Sequence, residues 1–109
     1  MNRVELIGDL VSPVEVRRDR NTGRTRSKAI IAVPRALGMD FVPVTLRGRE
    51  AADAAKYLGE GSTVAIKGHI HSGLLAERSA GGVKLRRLVY VIADRVTYLH
   101  VRPPRGGRP

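Results

Sequence analysis

The sequence of 109 residues has no cysteine and no tryptophan, and only 4% of its residues are aromatic. Without cysteine, the chain forms neither a disulfide framework nor a thiolate metal site. No apolar run approaches the roughly 20 residues of a membrane span, and Met1–Leu10 lacks the layout of a secretory signal. The simplest interpretation is a cytoplasmic protein with no membrane partner.

Acidic residues are also scarce, with 10 Asp and Glu against 20 Lys and Arg, which gives a formal net charge of +10. An excess of this size attracts polyanions or anionic membranes. Nucleic acid is therefore the leading partner on charge alone, although many basic proteins use their charge only to stay in solution.

Alternation of apolar and polar residues predicts five strands. They are expected at Asn2–Leu10 with a short continuation at Val14–Arg18, then at Ser27–Val33, Phe41–Arg47, Thr63–His71 and Leu85–Leu99. Pro34 is expected to end the second strand, and Gly73–Val83 to be a loop with a turn at Gly81-Gly82. The apolar run LVYVIA predicts a last strand that is buried on both faces for part of its length.

One helix is predicted at Glu50–Leu58, an alanine-rich segment that stops at Gly59. Residues 1–100 are expected to form one domain, and 101–109 a flexible basic tail too rich in proline and glycine to pack. Five strands with one short helix between the third and fourth is the element order of an OB-fold, an all-β barrel. Other small β folds also have five strands, but the position of the helix favours the OB-fold.

Cationic side chains on the predicted strands and hairpins are the candidate contacts for a nucleic acid. Lys67, His69 and His71 alternate along the fourth strand and therefore share a face. Phe41 and Arg47 share a face of the third strand, and Arg47 offers both a charge and a plane. The remaining candidates surround the hairpins and loops: Arg17, Arg18, Arg35, Arg49, Arg78, Lys84, Arg86 and Arg87. The alternative for each cation is a solvated charge, and for Phe41 it is a place in the core.

Catalytic and metal-binding patterns have little support in the sequence. His69 and His71 offer two nitrogens to a metal, but no cysteine or paired carboxylate nearby completes a site. The chain has no P-loop, no Rossmann glycine fingerprint, no HExxH motif and no cysteine nucleophile. The sequence therefore predicts a binding protein that needs no cofactor, and not an enzyme.

Several stretches resemble a known family. MNRVELIGDL, PVEVR and AIIAVPR are similar to the opening of bacterial single-stranded DNA-binding proteins, and VIADRVTYL to their last barrel strand. The central block DFVPVTLRGREAADAAKYLGEGSTVAIKGHI resembles the family in its alanine-rich helix and in the glycines that follow. The resemblance covers Asn2 to Leu99. It implies an OB-fold that binds single-stranded DNA through its backbone and stacked bases during replication, repair or recombination, usually as a homotetramer.

The chain departs from that family in two respects. The family's principal stacking aromatics fall at or near Leu37, Phe41, Arg47 and Leu75, and of these only Phe41 is aromatic. Family members commonly end in a tail with an acidic tip that recruits replication and repair partners, whereas the last residues here are basic. We therefore expect a short form, or a truncated chain, with weaker and more salt-sensitive binding.

Two other interpretations stay open at this point. A protein resembling primosomal replication protein N, a related dimeric OB-fold, would bridge DNA and helicase-loading partners. An RNA-binding OB-fold protein fits the charge, but fits the order of the motifs less well. We expect a homo-oligomer, a tetramer before a dimer, because Ile7 and the long last strand offer apolar surface.

Overall fold

The computed structural model describes residues 1–105. They form the strands β1 (Val4–Leu10), β2 (Glu15–Arg18), β3 (Thr25–Arg35), β4 (Gly38–Arg47), β5 (Thr63–Ser79) and β6 (Gly82–His100), with the helix α1 (Gly48–Tyr57) between β4 and β5. A bend at Ser12 separates β1 from β2, which together make up the first predicted strand. The strands pair in the order β1-β5-β6-β4-β3-β2, and pairing of β1 with β3 closes the barrel.

The core of the barrel is built from inward positions of the strands and one side of α1. Along β3, Ser27, Ala29 and Ile31 are buried, while the alternate residues point outward. Small and β-branched side chains fill most of the interior, and Ala51 and Ala54 bring the helix against it. The whole cluster is Leu10, Ala29, Ile31, Val44, Leu46, Ala51, Ala54, Leu58, Val64, Ile66, Val91 and Ala93. The alternation predicted from the sequence is therefore the one that separates the core from the outer surface.

Closure of the barrel depends on a glycine where β1 meets β3. A Cβ atom at Gly8 would overlap the carbonyl oxygen of Ala32. Only a residue without a side chain lets the two backbones approach this closely. Gly8 therefore permits the contact that makes Asp9 and Leu10 pair with Ala32 and Ile31.

The prediction of a loop at Gly73–Val83 is wrong. β5 and β6 continue as a regular antiparallel hairpin out to the pair Ser79 and Gly82, beyond the barrel. Both faces of this hairpin are largely exposed, so its residues show no alternation of buried and exposed positions that the sequence could record. The LVYVIA run was expected to be buried on both faces for part of the strand's length. Leu88 and Val89 at its start are exposed, whereas Val91 and Ala93 are buried and Tyr90 and Ile92 are half-buried on the other face.

Pro34 does not end the second predicted strand. It lies within β3 and pairs with Met39, and the chain turns only at Ala36 and Leu37. In residues 1–105 no strand pairs with the other side of β3 beyond Ala32. Proline is tolerated there because a strand with one neighbour does not need every N–H group.

The chain still packs after the last strand. The Gly59 N–H donates to the Arg102 carbonyl at 2.7 Å. The buried Ser62 hydroxyl accepts from the Arg102 N–H at 3.0 Å and donates to its carbonyl at 3.1 Å. Arg102, two residues beyond the expected domain boundary, is thus part of the packed structure. Residues 106–109 of the predicted flexible tail lie outside the described residues. No helix in the described part of the chain is long and apolar enough to cross a membrane.

Candidate nucleic-acid interface

The strand register brings three arginines side by side on the outside of the barrel. Arg17 of β2 lies opposite Arg26 of β3, and Arg26 lies opposite Arg47 of β4. We call these three residues the arginine row. Like charges directly opposite one another destabilise a sheet unless a counterion neutralises them. An anion bound at the arginine row would therefore stabilise the protein by reducing this repulsion.

The arginine row belongs to a continuous outward surface of the barrel, which we call the outer face. Next to the row, Lys28 pairs with Thr45, Thr45 with Ile92, and Ile92 with His69. Thr45 is on this side of β4 but is itself buried. The residues of the outer face include Arg17, Arg26, Lys28, Ile30, Phe41, Thr45, Arg47, Lys67, His69, His71, Tyr90, Ile92 and Asp94. The outer face thus combines the predicted cations of β4 and β5 with two that the sequence analysis left out, Arg26 and Lys28.

Flat side chains also lie on the outer face. Phe41 pairs with Ala32 and is 65% exposed, so the placement of its ring outside the core is confirmed. His71 and Tyr90 are opposite each other on β5 and β6, with ring centroids 5.4 Å apart and planes inclined by 57°. Tyr90 is half-buried and shares the face of His71.

The carboxylate of Asp94 lies next to Arg47 and His69 on the outer face. A β-bulge between Lys67 and Gly68 leaves Asp94 of β6 without an opposite residue. A Cβ atom at Gly68 would overlap the Ile92 carbonyl oxygen, so the bulge needs glycine at this point. Asp94 Oδ2 lies 3.1 Å from His69 Nδ1, and Oδ1 lies 3.5 Å from Arg47 Nη2.

Lys67, His69 and His71 share a face, as their alternation along β5 predicted; Ile66 and Gly68, on either side of Lys67, are buried on the opposite face. Lys67 Nζ lies 3.7 Å from Glu5 Oε1, an exposed pair that holds the lysine weakly.

Other predicted residues lie away from this centre. Arg35 pairs with Asp40 at 3.0 Å near the end of the β3–β4 hairpin. Arg18 alternates with Arg17 along β2 and so points to the other side. Arg49 is in the first turn of α1 and not on the sheet.

The long β5–β6 hairpin divides its four predicted cations between two faces. Lys84 and Arg86 lie on the side of His71 and Tyr90, and Arg86 pairs with Glu77 at 3.0 Å. Arg78 and Arg87 lie on the opposite side, which we call the apolar hairpin face. Its exposed hydrophobic side chains are Ile70, Leu74, Val83, Leu85 and Val89. Of the four predicted cations of this hairpin, only Lys84 and Arg86 therefore lie on a surface that continues the outer face.

The β2–β3 turn next to the arginine row is held by Asp19. Its carboxylate accepts hydrogen bonds from the N–H groups of Asn21 at 2.8 Å and Thr22 at 3.2 Å. These two bonds, with smaller contributions from Arg26 and Arg24, lower the pKa of Asp19. The carboxylate therefore stays ionised at neutral pH, which keeps the turn that joins Arg17 and Arg26 in place.

The residues of the outer face that were not predicted from the sequence fall into two groups. Arg26 and Lys28 continue the alternation of Ser27, Ala29 and Ile31, so extending the periodicity would have found them. Tyr90 and Asp94 depend on the pairing of β5 with β6 and on a bulge. No signal in the sequence indicates either.

A closed barrel of five strands, counting β1 and β2 as one, with its single helix between the third and fourth, is an OB-fold. The family model described as "Single-strand binding protein family" matches residues 1–99, which is the whole barrel except its last strand residue. The chain belongs to this family. The family is one of non-enzymatic DNA-binding proteins. Among residues 1–105 there is no group of three His, Cys, Asp or Glu side chains that could hold a metal ion.

Named relatives support the same assignment. A single-stranded DNA-binding protein of Clostridium tetani is 31% identical over 105 residues, which covers 91% of this chain and 70% of that protein. Single-stranded DNA-binding protein 1 of Clostridium acetobutylicum is 31% identical over 77 residues, covering 64% of this chain and 70% of its own. Single-stranded DNA-binding protein 2 of the same organism is 28% identical over 105 residues, covering 91% and 77%.

Proposed function

We propose that this chain binds single-stranded DNA without strong sequence preference, and coats or protects it during replication, repair or recombination. The arginine row carries the proposal, because three opposed arginines on adjacent strands repel one another and so favour the binding of an anion. A phosphate backbone supplies anions at regular spacing and releases counterions when it binds. The names of the relatives point to the same ligand.

In this mechanism the phosphates follow the arginine row chiefly at Arg17 and Arg26, because Arg47 already lies beside Asp94. Lys28 and Lys67 add positive charge to the same face. The bases turn toward the flat side chains of the same surface. Phe41 stacks one base, and the His71–Tyr90 pair offers a second platform toward the long hairpin. Stacking tolerates every sequence because every base has a π face. The outer face therefore selects for single strands, whose bases are free to stack, and not for a particular sequence.

The salt dependence of binding tests the electrostatic part of this proposal. Four to six phosphate contacts predict a slope of about −3 to −4 for log K against log salt, since each contact to a single strand contributes about −0.7. Replacing Arg26 with alanine removes the middle of the arginine row and should make the slope shallower by about 0.7. The measurement is a titration of labelled oligo-dT by fluorescence anisotropy at four salt concentrations.

Arg49→Ala is the matched control, because it removes the same charge from α1 and not from the sheet. It should leave the slope nearly unchanged. A slope near zero for the natural protein, or equal effects of the two substitutions, would contradict binding along the arginine row. Tighter binding of oligo-rU than of oligo-dT would indicate an RNA-binding protein instead.

We further propose that the chain forms a homo-oligomer, a tetramer before a dimer. β1 pairs with β5 along its length but meets β3 only at Asp9 and Leu10, so one edge of Val4–Gly8 has no strand beside it in the described residues. Ile7 is exposed on this strand, and the apolar hairpin face is exposed on β5 and β6. An open strand edge and exposed apolar surface are both features that association with other copies removes from water.

Light scattering coupled to size exclusion measures this directly. At micromolar concentration the mass should be a multiple of the 11.9 kDa chain, and four chains are expected. Leu85→Lys places a charge on the apolar hairpin face, while Lys84→Ala alters the other side of the same strand. We expect the first substitution to lower the mass and the second to leave it unchanged. A monomeric natural protein would refute the proposal.

A further inference from the structure

Asp94 places a negative charge beside Arg47 and His69, on a surface where most of the charged side chains are positive. A carboxylate at this position repels a phosphate, so attraction of the phosphate backbone does not explain why Asp94 is there. Its orientation is nevertheless built into the fold, because the bulge at Gly68 directs it outward between β4 and β5. Bulges next to binding sites commonly serve to aim one side chain.

Asp94 contacts two side chains, and both are flat. One oxygen lies beside the N–H edge of the Arg47 guanidinium, and the other lies beside Nδ1 of the His69 imidazole. Each contact is made at the edge of a planar group, which leaves the face of the plane free. The Arg47 side chain is 52% exposed and that of His69 is 31% exposed, so the guanidinium plane is open to a ligand and the imidazole plane is partly open.

We propose that Asp94 is a positioning residue that makes Arg47 and His69 platforms for stacked bases, which rests on the function proposed above. A guanidinium whose N–H edge is occupied by a carboxylate has fewer donors for a phosphate, but its plane still stacks on an aromatic ring. The chain has little aromatic surface, with 4% aromatic residues and no tryptophan. Two flat side chains held by one carboxylate replace part of that missing surface.

The test compares oligo-dT with an oligomer of equal length in which every base is removed. Both carry the same phosphates, so the ratio of their affinities measures stacking and not charge. Asp94→Asn should lower this ratio about fivefold or more, the lower end of what one stacked base contributes. It should also tighten binding of the abasic oligomer, because the released Arg47 is then free to pair with a phosphate.

Arg47→Lys is a second variant that keeps the charge and removes the plane. It should lower the ratio by a similar factor while the salt slope stays the same. Because Arg47 is exposed, this variant should fold like the natural protein. Glu5→Gln is the matched control, since it also removes one carboxylate from the sheet, where Glu5 pairs with Lys67. It should shift the affinity for both oligomers equally and leave the ratio unchanged.

An unchanged ratio in Arg47→Lys, or an Asp94→Asn protein that behaves like Glu5→Gln, would overturn the proposal. Asp94 would then be only one more surface charge. These outcomes differ from failure of the proposed function, in which the natural protein would bind neither oligomer in a salt-dependent way. Thermal melting of each variant separates lost stacking from lost folding.

Discussion

Replacing Phe41 with alanine should weaken binding of oligo-dT about 5- to 150-fold, since one stacked base contributes about 1–3 kcal/mol. The ring is exposed on the outer face and makes no part of the buried cluster. Its removal should therefore leave the melting temperature almost unchanged. The measurement is an oligo-dT titration with a thermal melt of the same sample.

Leu37→Ala is the control for the loss of an exposed apolar side chain. Leu37 is 89% exposed in the turn between β3 and β4 and has no π system to stack on a base. Its replacement should change the affinity less than twofold to threefold, as a rough bound for a surface substitution. A Phe41→Ala protein with normal affinity and a melting temperature lowered by several degrees would show that the ring packs inside the protein.

Replacing Ile31 with alanine should lower the free energy of unfolding by about 2–5 kcal/mol, the usual cost of deleting a buried aliphatic side chain. Ile31 has no exposed surface and lies in the core cluster formed by all the barrel strands. For a domain of this size the melting temperature should fall by roughly 10 °C or more. Urea unfolding followed by circular dichroism gives the free energy.

The neighbouring residue is a matched control with the same side chain. Ile30 is 40% exposed and points to the outer face, so Ile30→Ala should cost about 1 kcal/mol or less. The contrast between the two positions tests the alternation of β3 directly. A larger loss at Ile30 than at Ile31 would mean that the register of β3 differs by one residue, which exchanges its two faces.

The strands of the barrel could be predicted because one side of each is buried. In β3 and in the first half of β5 the buried and exposed residues alternate, and this period is written in the sequence. The helix was predicted for a comparable reason, since its alanines pack on the core and Gly59 follows its end. The distal half of the β5–β6 hairpin could not be predicted, because neither of its faces is buried and the pairing of backbones leaves no pattern in the side chains.

The candidate site shows the same division. The residue types of the outer face were evident from the sequence: an excess of arginine and lysine, one exposed phenylalanine and two alternating histidines. Alternation also assigned Phe41 and Arg47 to one face of their strand. These properties are local, because they depend only on the identity of neighbouring residues and on the period of a strand.

Only the tertiary structure decided which of these residues meet. Arg17, Arg26 and Arg47 lie on three different strands, and their alignment depends on the register of β2 and β4 on β3. Asp94 reaches Arg47 and His69 because a bulge interrupts the pairing of β5 with β6. The sequence by itself determined the strands, their buried sides and the sign of the exposed charge. Register and bulges were decided by closure of the barrel, because they follow from how all the strands fit around one core and not from any single segment.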